Sequence, residues 1–224
     1  MQINLIKKLN TGNKIAKNIL VIGVFHGDEE QGETLISKYL EGYGKKHGAG
    51  CLKASDCEGY TGKNNLYYIP RLNFAKTRTN PNGVDLNRNF PTKNWGEDTS
   101  AAGENAADYY GGRAANSEIE TQFIVSLMDK ISFDAIITLH SPYKIVNYDG
   151  DRGGAALKLA QKISEFTKYP VQKDIGYPCP GSFGTYAGVE RDIPTITIEM
   201  DENEAIEELY PKFKTVFEYL ENEY

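Results

Sequence analysis

The chain has 224 residues, enough for one large domain, and roughly 70% of the unfolded surface is hidden at this length. Lys and Arg total 25 against 31 Asp and Glu, a net charge of −6, which disfavours a general nucleic-acid binder. Three cysteines exclude a disulfide scaffold, and three histidines (His26, His47 and His140) leave few carriers for imidazole chemistry. No window approaches the ~20 apolar residues of a membrane span, and the N-terminus lacks the apolar stretch of a signal peptide. The expectation is a cytoplasmic protein with reduced thiols at Cys51, Cys57 and Cys179, no membrane partner and no nucleic-acid partner. The sequence leaves the oligomeric state open.

Residues 19–25 (ILVIGVF) form a continuous apolar run rich in β-branched side chains, the pattern of a strand buried on both faces. Asp28 can cap a following helix whose apolar face is Leu35, Ile36, Tyr39 and Leu40. The Gly-rich stretch 41–65, which contains His47, reads as a loop, and 66–70 (LYYIP) as a second strand. Residues 71–116 read as a long functional loop. Ser117-x-x-Glu120 reads as a capping box for a helix carrying Ile119, Phe123, Val125, Leu127 and Met128. Residues 133–139 (FDAIITL) are a third buried strand ending at His140. A helix over 154–167, an irregular segment over 169–180 and a fourth strand over 193–200 follow. The last element is an amphipathic helix over 203–222, which Pro211 should bend or split. Alternating strands and helices argue for a single-domain α/β/α sandwich with a mixed, largely parallel central sheet.

Polar clusters stand where the strands stop, the place where open α/β sheets form their sites. His26-x-x-Glu29 follows the first strand, and His140-Ser141-Pro142 follows the third. Two imidazoles and one carboxylate leave a fourth tetrahedral position open, the arrangement of a catalytic zinc. Glu30 is the alternative carboxylate. Glu199 lies between Ile198 and Met200, where a carboxylate is costly unless it is paired or functional; its functional reading is a general base for a metal-bound water. The loop supplies Arg78-Thr-Asn-Pro-Asn-Gly-Val-Asp85-Leu-Asn87-Arg88, and its arginines suit an anionic substrate.

Together, in this order, the four clusters resemble the zinc metallocarboxypeptidase (carboxypeptidase A-like) superfamily over about residues 19–200. Within it, GVDLNRNFP, the SEIET helix start and GYPCPGSFGTY look most like the murein peptide amidases. That resemblance implies one catalytic domain over 1–224, with one Zn2+ held by His26, Glu29 and His140. It implies Asp85 behind His26, Glu199 as general base and acid, and Arg78 as the oxyanion arginine, with Arg71 as competitor. It places Asn87 and Arg88 on the substrate's terminal carboxylate, with Tyr177 and Ser182 in the pocket wall. The implied reaction is hydrolysis of the γ-D-glutamyl–meso-diaminopimelate bond of a small anionic murein peptide in cell-wall recycling. The rival readings are an N-acyl-amino-acid deacylase of the aspartoacylase or succinylglutamate desuccinylase type, and a D,L-carboxypeptidase acting on intact peptidoglycan. Pro142 departs from the carboxypeptidase pattern, and its Ser-Pro bond admits a cis peptide.

Overall fold

A computed structural model describes residues 3–10, 15–47, 60–96, 106–173 and 175–224. Among the described residues seven strands run in chain order: β1 (Ile6–Lys8), β2 (Asn18–Ile22), β3 (Asn65–Ile69), β4 (Ala135–His140), β5 (Ile145–Asp149), β6 (Val171–Gln172) and β7 (Thr195–Glu199). They form one sheet in the order β1-β3-β2-β4-β7-β5-β6. The pairs β2–β3, β2–β4, β4–β7 and β5–β6 are parallel, whereas β1–β3 and β5–β7 are antiparallel. The helices are α1 (Gln31–His47), α2 (Ile119–Lys130), α3 (Ala155–Thr167) and α4 (Ile206–Asn222).

Alternation along the central strands builds two cores. Ile19 and Val21 of β2 join Leu35 and Leu40 of α1, Leu159 of α3 and Phe213 and Phe217 of α4. Leu20 and Ile22 point the other way, to Ile124 and Leu127 of α2 and to Phe90 and Phe183. Both faces of the sheet are thus covered, which explains the unbroken apolar runs of β2 and β4. The result is an α/β/α sandwich with a mixed, mostly parallel sheet, as expected.

Several local expectations give way. Three strands escape the sequence reading: β1 and β6 are short edge strands of 3 and 2 residues, and β5 alternates polar with apolar residues. Helix α1 continues to His47 where a loop from residue 41 was expected, despite Gly42 and Gly44. Asp28 is exposed and three residues before the helix begins, so it does not stand at the cap position. The Ser117 capping box does not form. Glu118 occupies the cap position of α2 without a side-chain cap bond, and Asn89 does the capping instead. Its Oδ1 accepts from Glu118 N (3.1 Å) and Thr121 Oγ1 (2.6 Å), and its Nδ2 donates to Gly111 O, Ala114 O and Ser117 Oγ. Ile119 faces solvent at 69% exposure rather than the core. Pro211 lies inside a continuous α4 and does not split it. Cys51 and Cys57 lie outside the described residues.

Away from the site, the fully buried Lys8 of β1 is ion-paired with Glu221 of α4. The Lys8 ammonium stands 4.9 Å from the ring centroids of both Tyr39 and Tyr60, and Tyr68 donates to Glu221 at 3.4 Å.

Candidate active site

The parallel strands β2, β4 and β7 end on one edge of the sheet. The chain leaves β2 through Gly23 and turns into α1 so tightly that a Cβ on Gly32 would stand 2.0 Å from Gly23 O. That close approach needs glycine, and it places His26 and Glu29 above the strand ends. His140 is the last residue of β4 and Glu199 the last of β7, and the two are cross-strand partners. Ser141–Pro142 is cis.

The donors converge. His26 Nδ1 lies 2.6 Å from Glu29 Oε1, and His140 Nδ1 lies 2.9 Å from Glu29 Oε2. One ligand atom from each of these three residues falls within 4.8 Å of the others. His26 Nε2 meets Asp85 Oδ1 at 3.1 Å, while Asp85 Oδ2 accepts from Arg78 Nη2 at 3.0 Å. Burial disfavours charge on His26, but Glu29 and then Asp85 outweigh it and raise its pKa to about 9. Burial is likewise outweighed at both acids: the histidines hold Glu29, and His26 with Arg78 holds Asp85, well below the usual carboxylate range. The carboxylates thus demand a positive charge at this spot. Two imidazoles and a carboxylate are the donors zinc prefers, so the residues present fit that ion. Asp85, bonded to the opposite ring nitrogen, fixes the orientation of His26. Glu30 is turned away, paired with Arg71 at 2.9 Å, and Arg71 also binds Glu33 at 2.6 Å. Arg71 therefore belongs to the α1 surface, and Arg78 is the arginine beside the triad.

A cleft of about 400 Å³ opens over the triad. Glu199 lines it at 7% exposure, and among the described residues its Oε2 has no hydrogen-bond partner. Burial raises its pKa above the usual range. Arg88, 2% exposed, donates to Asn87 O (2.8 Å) and Cys179 Sγ (3.5 Å), forms no ion pair among the described residues, and leaves its Nε without a partner. Asn87 Oδ1 accepts from Phe183 N at 2.9 Å, which leaves its NH2 as a donor. Ser182 and Tyr177 stand in the same wall. All of the site residues anticipated from sequence therefore meet at one place, with Asp85 just behind the cleft lining.

Some residues in or beside the cleft were not anticipated. Tyr109 packs its ring 4.6 Å from the guanidinium of Arg78 and 5.4 Å from that of Arg88. Asn147, Asp149 and Thr197 line the floor with Lys173 nearby. The polar alternation of IVNYD was the available signal for the first two; nothing local marks Tyr109.

The sequence matches the zinc carboxypeptidase family (peptidase M14) over residues 70–223, and His26 and Glu29 join that stretch through the fold. Murein peptide amidase A of Vibrio campbellii is 32% identical over 187 residues, covering 81% of this chain and 68% of that protein. The crystal structure of murein-tripeptide amidase MpaA from Escherichia coli O157 superposes with a TM-score of 0.71 at 24% identity, covering 96% of this chain and 84% of that one. Thrombin-activatable fibrinolysis inhibitor shares the fold at a TM-score of 0.75 and 15% identity, over 98% of this chain and 64% of that one. Among the described residues no helix is long and apolar enough to cross a membrane. By family match, relatives and fold, the chain belongs to the zinc carboxypeptidase family of hydrolases, whose cofactor is Zn2+.

Proposed function

We propose that the chain is a cytoplasmic, single-domain zinc amidase that hydrolyses the γ-D-glutamyl–meso-diaminopimelate bond of small murein peptides during cell-wall recycling. The observation that carries this reading is Arg88, a buried guanidinium without an ion pair among the described residues, facing a cleft that also holds the metal triad and Glu199. A buried charge needs a partner, and a peptide's terminal carboxylate provides one. The substrate class follows from the murein peptide amidase relatives.

His26, Glu29 and His140 would hold zinc, which would supply a Lewis acid for the scissile carbonyl and acidify a water. The chain's own residues do the rest. Arg88 and Asn87 grip the terminal carboxylate and so fix the reacting amide. Glu199, which lines the cleft, takes the proton of the attacking water and delivers it to the departing amine. Arg78, held by Asp85 and Tyr109, stabilises the developing oxyanion. Tyr177 and Ser182 bound the bay where the leaving residue rests.

The test is hydrolysis of L-Ala–γ-D-Glu–meso-diaminopimelate, with zinc content measured before and after chelation. Release of free diaminopimelate, lost on chelation and restored by zinc, is expected. Turnover of N-acetylaspartate with no cleavage of the tripeptide by zinc-loaded protein would overturn the reading in favour of a deacylase.

A further inference from the structure

The cleft extends beyond the groups that the mechanism uses. Antiparallel register sets Ile145 opposite Glu199, Asn147 opposite Thr197 and Asp149 opposite Thr195. Side chains two apart share a face, so Asn147 and Asp149 stand on the same face as Glu199, progressively farther from it. Four residues of strand put the backbone of Asp149 about 13 Å from the level of Glu199. Asp149 lines the same cleft as Glu199 and Arg88.

Asp149 is built into this position. A Cβ on Gly184 would stand 2.3 Å from Asp149 Oδ2, and one on Gly188 would stand 2.3 Å from Asp149 Cβ. The two glycines make the space that its carboxyl occupies. Among the described residues this carboxyl accepts no hydrogen bond and forms no ion pair. The charge that acts on it comes from Lys173, which lines the same cleft without closing onto it. Burial pushes the pKa of Asp149 up to about 6, a cost that an arriving cation offsets. One acid and one base, unpaired with each other, line the cleft that also holds Arg88.

We propose that Asp149 and Lys173 form a subsite for the zwitterionic end of a diamino dicarboxylic acid, Asp149 taking its distal ammonium and Lys173 its distal carboxylate. This rests on the substrate reading above and assigns residues to its selectivity. It makes Asp149 the selector of diamino acids over apolar ones, and Lys173 the selector of a diamino diacid over lysine.

The experiment compares three tripeptides, L-Ala–γ-D-Glu–X, with X as meso-diaminopimelate, L-Lys or L-norleucine. It also measures calorimetric affinity for the free amino acids, which needs no turnover. In the zinc-loaded wild-type protein the expected order of kcat/KM is diaminopimelate, then lysine, then norleucine. Asp149→Asn should lower the diaminopimelate-to-norleucine and lysine-to-norleucine ratios about tenfold. Lys173→Met should lower the diaminopimelate-to-lysine ratio about fivefold. The affinity for free diaminopimelate should weaken in both variants, and melting temperatures identify a variant that has lost its fold. Ratios unchanged in both variants, or all three peptides slowed equally, would overturn this subsite while leaving the amidase reading intact. Cleavage of none of the three peptides would overturn both.

Discussion

Two buried charge clusters lie at opposite fates in this molecule. In the first, Lys8 and Glu221 answer each other, with Tyr39, Tyr60 and Tyr68 closing around them. In the second, at the strand ends, Glu199 Oε2, Arg78 Nε and Arg88 Nε are buried without partners among the described residues. The closed cluster ties β1 to α4 and needs nothing further. The open one leaves these atoms unanswered among the described residues. The difference shows that burial of charge alone does not mark a functional site; incomplete pairing does.

That contrast can be broken at either end. The largest effect is expected from Glu199→Gln, which should reduce kcat by about 10²–10⁴-fold while zinc content, measured by metal analysis, is retained. On the closed side, Glu221→Gln removes the carboxylate paired with the Lys8 ammonium and should cost about 3–5 kcal/mol in denaturant unfolding, with kcat of the folded fraction unaltered. Arg88→Met should raise KM and cost about 2–5 kcal/mol in transition-state binding, a 30-fold to several-thousand-fold loss in kcat/KM.

Asp149 offers a smaller, pH-dependent test. Its pKa is raised by burial from 3.8 to about 6, so the folded state binds its proton more tightly than the unfolded chain does. Stability should therefore fall as pH rises from about 4 to 6, by at most about 3 kcal/mol, and level off above. Unfolding curves of Asp149→Asn across that window should lack this slope. The smallest effect is expected from the double variant Lys8→Met with Glu221→Leu. Burial works against the charge on both residues, lowering the Lys8 pKa and raising that of Glu221. Replacing the pair with apolar groups should leave unfolding free energy near wild type or higher.

The sequence showed the open cluster better than the closed one. His26, Glu29, His140 and Glu199 stand at the ends of apolar strands, where a polar residue is conspicuous. The buried strands β2, β4 and β7 were legible for the same reason. Lys8 and Glu221 are 213 positions apart and look like ordinary surface charges; only the fold makes them neighbours. Strand β5 hid because its floor-facing residues are polar, which is also why it matters to the cleft. The cap of α2 was misplaced because its true donor and acceptor, Asn89, lies 29 positions upstream of the residue it caps. Local pattern reports local chemistry, and a cap supplied from another segment leaves no trace in it.

Asn89 has a consequence of its own. It follows directly after Asn87 and Arg88 and is fastened on its far side to 111–121, so the two residues proposed to grip the substrate are anchored from behind rather than by what they bind. The short turn 86–88 thus has its conformational freedom removed at folding, not at each encounter with a peptide. Under the proposed function, binding and release of a peptide would then require no local ordering or melting of that turn.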